Sequence, residues 1–106
     1  MSRFMRLIVF FDLPVATKTQ KRVYTDFRRF LINDGYYMIQ FSVYGRLCNS
    51  SEDVAKHESR LIANAPLSGS VRTLTVTEKQ YAGIKVLSGK KKEREKNVKG
   101  FQMSFF

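Results

Sequence analysis

Few residues in this chain have side chains that could do chemistry. It holds one histidine, His57, and one cysteine, Cys48. No glycine-rich phosphate loop, nucleophile elbow, or serine or cysteine triad can be assembled from what is present. A lone cysteine forms no internal disulfide and no cysteine-based zinc site. Cys48 is expected to be a small half-buried residue closing a strand, and it points to a reducing, cytoplasmic location. His57 lacks a local partner at metal-binding spacing and is expected on the solvent face of a helix. The remaining candidate is Asp12. It is the single carboxylate in the apolar run Leu7-Ile8-Val9-Phe10-Phe11-Asp12-Leu13, which Pro14 ends.

An acid at the C-terminal end of a buried strand sits where sheets flanked by helices often carry function. One carboxylate holds a divalent cation poorly, because Mg2+ takes one or two carboxylates plus water and substrate phosphates. Two copies of Asp12 facing each other across a twofold axis would suffice. An ion held there could polarise a phosphodiester and activate water. The plainer alternative is that Asp12 accepts hydrogen bonds from the start of the following helix. The sequence leaves both readings open.

Charge narrows the class of partner. Nineteen Lys and Arg face nine Asp and Glu, a formal net charge of +10 in 106 residues. Such an excess on one small domain favours a polyanion, nucleic acid before a membrane surface. No apolar run approaches the roughly 20 residues that span a bilayer, and no secretory signal is visible, so no membrane partner is expected.

These residues must be positioned by a small set of elements. Residues 4 to 12 predict a central strand stopped by Pro14. Residues 17 to 34 predict a helix, opened by the capping box Thr17 with Gln20 and closed at Gly35. Its apolar stripe is Val23, Phe27, Phe30 and Leu31. Its other face carries Lys18, Lys21, Arg22, Arg28 and Arg29, opposed by Asp26. Residues 37 to 47 predict one strand, with Ile39, Phe41 and Val43 on one face and Gln40, Ser42, Tyr44 and Arg46 on the other. A second helix over 51 to 65 turns Val54, Leu61, Ile62 and Ala65 inward, and Lys56, His57 and Arg60 outward. Strands are expected at 70 to 78 and 83 to 87. The pattern suits an α+β ferredoxin-like sandwich: an antiparallel sheet with two helices on one face, its other face covered by a second copy in a homodimer. The domain is expected over residues 1–88. Residues 89–99 read as a basic linker, with Lys90, Lys91, Lys92, Arg94, Lys96 and Lys99 against Glu93 and Glu95. Residues 100–106 read as a terminal strand docking on a sheet edge, its own or the partner subunit's. Basic faces of this kind hold phosphates without reading bases, and Lys18, Lys21, Arg22, Arg28, Arg29, Ser42, Arg46, Lys90, Lys91 and Lys92 are the candidate contacts.

Several of these stretches share a resemblance. The segment Met5 to Pro14 with Asp12 at its end resembles the opening of the CRISPR-associated Cas-two family of small adaptation proteins. Helix one with Lys21, Arg22, Phe27 and Leu31, its closing Gly35, and Gln40-Phe41-Ser42-Val43-Tyr44 continue the similarity. Asn64-Ala65-Pro66 and Thr73 to Tyr81 resemble members from type II systems. The similarity covers residues 4 to about 87. It implies a ferredoxin-like homodimer in which Asp12 is the catalytic residue and metal ligand, for Mg2+ or another divalent cation, of a dimer-shared nuclease site. Cleavage of single-stranded RNA or double-stranded DNA is the implied activity. The resemblance also implies a role in spacer acquisition. There the dimer bridges Cas-one integrase dimers and supports the DNA duplex through its backbone, with integration left to the partner and nuclease activity dispensable. Ser42 and Tyr44 stand at the family's strand-two serine and aromatic positions. Phe11 stands where many members have tyrosine.

Overall fold

The computed structural model describes residues 4–89. The strands are β1 (Met5–Asp12), β2 (Tyr37–Gln40), β3 (Val43–Cys48) and β4 (Ser70–Thr77). The helices are α1 (Lys18–Asn33), α2 (Ser51–Asn64) and the short α3 (Glu78–Ala82). The strands form one antiparallel sheet in the order β2-β3-β1-β4. The order β1-α1-β2-β3-α2-β4 is a ferredoxin-like arrangement, the fold class that the sequence predicts, although the sequence reading puts one strand between the two helices and two after them.

Two elements differ from expectation. The single strand expected over 37 to 47 is a hairpin, with Gln40 opposite Val43 across a two-residue turn and a register shift between Met38 and Gln40. Ser42 makes this possible by adopting a left-handed φ of 64°. Gln40-Phe41-Ser42-Val43 contains none of the Gly, Asn or Asp signals that usually mark such a turn. The strand expected over 83 to 87 does not form. The chain instead leaves β4 into α3, opened by a second capping box in which Gln80 N–H donates to Thr77 Oγ1 at 3.1 Å and Thr77 N–H to Gln80 Oε1 at 2.9 Å. The basic linker and terminal strand expected beyond residue 89 lie outside the described residues.

The two faces of the sheet have different fates. Leu7, Val9 and Phe11 alternate toward α1 and α2, and pack with Phe27, Leu31, Tyr44, Cys48, Val54 and Leu61. Phe11 meets Phe27 edge-on and Tyr44 in a stacked pair, with centroids 5.2 and 5.7 Å apart. Tyr44 is therefore core, as is Cys48, which is fully buried rather than half-buried. Ile62, expected inside, is 80% exposed. His57, expected in solvent, is 1% exposed. Its Nδ1 lies 2.8 Å from Asp34 Oδ2, so α2 turns its polar stripe toward the end of α1.

The opposite face carries Arg6, Ile8, Phe10 and Asp12 from β1, set beside Ser70, Arg72, Leu74 and Val76 of β4. At one end of that face α3 lies over Arg6. Its Tyr81 ring sits 4.5 Å from the guanidinium carbon, and its Glu78 pairs with Arg6, which also donates to Tyr37. The Asp12 end of the face has no such cover among the described residues.

Candidate functional site

Asp12 is where the alternation of β1 brings a carboxylate to the uncovered sheet face. Phe11 before it is buried and Asp12 itself is exposed. Asp12 sits opposite Ser70, and Phe10 opposite Arg72. On the other side of β1, Phe11 N–H donates to Ser42 C=O at 3.0 Å, pinning the β2–β3 turn next to the acid. These residues line an open cleft of about 340 Å³, floored by Phe10 and Val43 and rimmed by Asp12, Ser42, Ser70 and Arg72. Gly69 closes the loop leading into β4. Its φ is +84°, and a Cβ there would stand 2.4 Å from the Asp12 carbonyl oxygen, so the loop approaches Asp12 as only glycine allows.

The start of α1 does not use Asp12. Gln20 N–H donates to Thr17 Oγ1 at 3.1 Å, and the N–H groups of Ala16 and Thr17 donate to Gln20 Oε1 at 2.8 and 3.0 Å. The helix satisfies its own first turn, and this removes the capping role that the sequence left open for Asp12. The carboxylate forms no hydrogen bond or ion pair among the described residues. An exposed acid beside an arginine and two hydroxyls can supply one ligand to a hard cation or orient water at a phosphodiester. No group of three or more His, Cys, Asp or Glu side chains that could hold a metal occurs among the described residues. A cation at Asp12 therefore fits only with further ligands from a second copy, from substrate phosphates or from water.

The other candidate residues divide into groups. Lys18, Lys21 and Arg22 are exposed on α1 with no carboxylate partner among the described residues. Arg28 donates from Nε to Tyr44 Oη at 2.8 Å, and Arg29 makes a loose 3.4 Å pair with Asp26. Ser42 is at the cleft, its hydroxyl 3.5 Å from that of Tyr24. Arg46 is instead built into the scaffold. Its Nε donates to Asp34 C=O at 2.7 Å and its Nη1 to Leu47 C=O at 2.9 Å, with Asp53 at 3.9 Å. It braces the end of α1 rather than standing free for a phosphate. Lys90, Lys91 and Lys92 lie outside the described residues. The structure adds Arg72 to the set. Sequence reasoning missed it because nothing in Ser-Val-Arg-Thr announces the register that brings it to the cleft.

Comparison with known proteins follows the same lines. The family model described as "CRISPR associated protein Cas2" matches residues 5–84. A CRISPR-associated endoribonuclease Cas2 from Acidovorax ebreus is 58% identical over 102 residues, covering 96% of this chain and all of that protein. Proteins of the same name from Lacticaseibacillus rhamnosus and Ligilactobacillus salivarius are 45% and 43% identical, each over 88% of this chain and 92% of their own length. The chain belongs to the Cas2 family of CRISPR-associated proteins.

Proposed function

We propose that this chain works as a homodimeric nucleic-acid-binding protein in CRISPR spacer acquisition, bridging Cas-one integrase dimers and holding DNA by its backbone. The observation that carries this is the exposed cationic face of α1, where Lys18, Lys21 and Arg22 lack carboxylate partners among the described residues. Cations so placed gain by releasing counterions from phosphates, irrespective of base sequence. Dimer formation is supported by the sheet face that α3 leaves open, where Phe10 and Leu74 stay exposed beside Asp12. A second copy laid on that face would bury them and bring two Asp12 carboxylates toward one another. The whole is a cytoplasmic assembly. Among the described residues no helix is long and apolar enough to cross a membrane.

A second reading, a metal-dependent endonuclease acting through paired Asp12, is favoured by one observation. The carboxylate makes no hydrogen bond or ion pair among the described residues, and relatives of this length are named endoribonucleases. When bound, Mg2+ would supply charge stabilisation at the scissile phosphate and a more acidic water. In this chain Asp12 would be its ligand, while Arg72 and Ser42 would hold phosphate oxygens in the same cleft.

Purified wild type and Asp12→Ala, assayed side by side, separate the two. Under the first reading Asp12→Ala retains duplex binding and spacer acquisition, and loss of acquisition from a folded dimer overturns it. Under the second, Mg2+-dependent cleavage disappears with Asp12. Equal cleavage by both proteins would trace the activity to a contaminant.

A further inference from the structure

Phe41 is the most exposed aromatic side chain among the described residues, at 84%. It stands at the tip of the β2–β3 hairpin, and the turn beneath it is tightly specified. Ser42 occupies a left-handed conformation uncommon for a residue with a Cβ. Such a backbone persists where its surroundings fix it, and such sites cluster where ligands are gripped. Here the fixing groups are visible. Ser42 C=O accepts from Phe11 N–H at 3.0 Å, and the Ser42 hydroxyl lies 3.5 Å from Tyr24 Oη.

The surroundings of the tip give the ring a use. Tyr24 belongs to α1, and at helical spacing Lys21 and Arg28 share its face. Arg28 reaches over to β3, donating to Tyr44 Oη at 2.8 Å. On the other side Ser42 and Val43 line the cleft that holds Asp12 and Arg72. The hairpin tip that carries this exposed ring thus meets α1 through Ser42 and Tyr24, and the cleft through Ser42 and Val43. Proteins that track a strand by charge and stack bases on aromatic rings combine these same parts.

We propose that Phe41 is a base-stacking contact, on which a nucleobase splayed from a strand held at the Asp12 cleft packs. The proposal rests on the nucleic-acid-binding function given above and adds to it a preference at this contact for unpaired over duplex strands. A paired base offers its face to its neighbours in the stack, whereas an unpaired one is free to meet the ring.

The chain contains no tryptophan. Phe41→Trp therefore places a single indole reporter at the tip, and the exposure of Phe41 means that neither this change nor Phe41→Ala disturbs the core. The probes are a 20-nucleotide oligo(U) and a 20-base-pair DNA duplex. Oligo(U) is expected to quench Phe41→Trp emission, and the duplex to bind with little quenching. Phe41→Ala is expected to lose about 5- to 100-fold in affinity for oligo(U), the usual worth of one stacked base, and to keep its duplex affinity within about twofold. The proposal falls if Phe41→Ala binds oligo(U) as wild type does. It also falls if Phe41→Trp emission is unmoved at saturation. An emission that is already blue-shifted and concentration-dependent without nucleic acid would assign the ring to a contact between two copies, and overturn it too. Combined substitution of Lys18, Lys21 and Arg22 by Ala separates the two levels of failure. If that variant loses binding and Phe41→Ala does not, stacking alone is wrong. If wild type binds neither probe, the nucleic-acid-binding function fails with it.

Discussion

Replacing Asp34 by Ala should cost this domain a large share of its stability. Asp34 caps α1, its carboxylate ties that helix end to α2, and its backbone carbonyl ties it to β3. One oxygen meets His57 Nδ1 at 2.8 Å and the other accepts from Arg60 Nη1 at 2.7 Å, while its backbone carbonyl takes the Arg46 Nε bond. His57 is 1% exposed, so its Nδ1 has no access to water once the acceptor is gone. Its Nε2 lies 3.3 Å from Asp53 Oδ1 but makes no hydrogen bond there. A charged hydrogen bond to a buried group is worth about 1.5–3 kcal/mol, including the cost of the orphaned donor. Arg60, whose side chain is 50% exposed, adds less than about 1 kcal/mol. The expected loss is about 2–4 kcal/mol. For a domain of this size each kcal/mol moves the midpoint by about 4–8 °C, which gives a drop of roughly 8–32 °C. Circular dichroism melts at one fixed protein concentration read this, since association makes the midpoint concentration-dependent. Asp34→Asn keeps an acceptor for His57 and should recover about half the loss. An Asp34→Ala midpoint within about 3 °C of wild type would refute the inference that this carboxylate holds His57 and the helix ends together.

Acid should unfold the protein through the same cluster. For Asp34, burial pushes the carboxyl pKa up, but the hydrogen bonds from His57 and Arg60 outweigh it and hold the group below the usual range. The Asp53 carboxyl is lowered chiefly by the Asn49 backbone N–H at 3.1 Å, with Lys56 assisting. A pKa lowered by folding stabilises above the unfolded value of about 3.9, and that stability is lost as pH falls through the folded values. Thermal midpoints should therefore hold steady from pH 7 to about 5 and fall below about 4, less steeply in Asp34→Ala. Gly69→Ala should destabilise by roughly 2–4 kcal/mol in urea titrations, from a left-handed alanine and a Cβ driven against the Asp12 carbonyl. Asp12→Ala, by contrast, removes a group with no partner among the described residues and should leave the unfolding free energy from urea titration within about 0.5 kcal/mol of wild type.

Much of this architecture was legible because local chemistry and global fold agree. The β1 run ending at Pro14, the Thr17–Gln20 box and the helical spacing of Phe27 with Leu31 each mark an element that formed. The hairpin was hidden because its turn is made by Ser42 held from outside, by Phe11 and Tyr24, and not by a residue that prefers the conformation. α3 was hidden for a different reason. Thr77 and Gln80 carry the same capping signal as Thr17 and Gln20, but strong β propensity up to Thr77 and the apolar Ile84, Val86 and Leu87 suggest a strand instead. Within the site, Asp12 could be picked out as the odd acid in an apolar strand. Arg72 could not, since its place depends on the β1–β4 register. His57 looked like a surface residue because its hydrogen-bond partner, Asp34, is recognisable only once α1 and α2 are packed. The same packing claims Arg46, which sequence alone placed among the phosphate-binding cations.

The claim that the α1 face holds a phosphate backbone by charge is tested most directly by the salt dependence of duplex affinity. Fluorescence anisotropy between 50 and 200 mM KCl gives the slope of log affinity against log salt. Each phosphate neutralised contributes about 0.9 to that slope. Combined substitution of Lys18, Lys21 and Arg22 by Ala should make it shallower by about 2.7 for each protomer engaged, and duplexes of unrelated sequence should lose affinity alike. A variant slope equal to that of wild type, or a wild-type affinity indifferent to salt, would contradict the account.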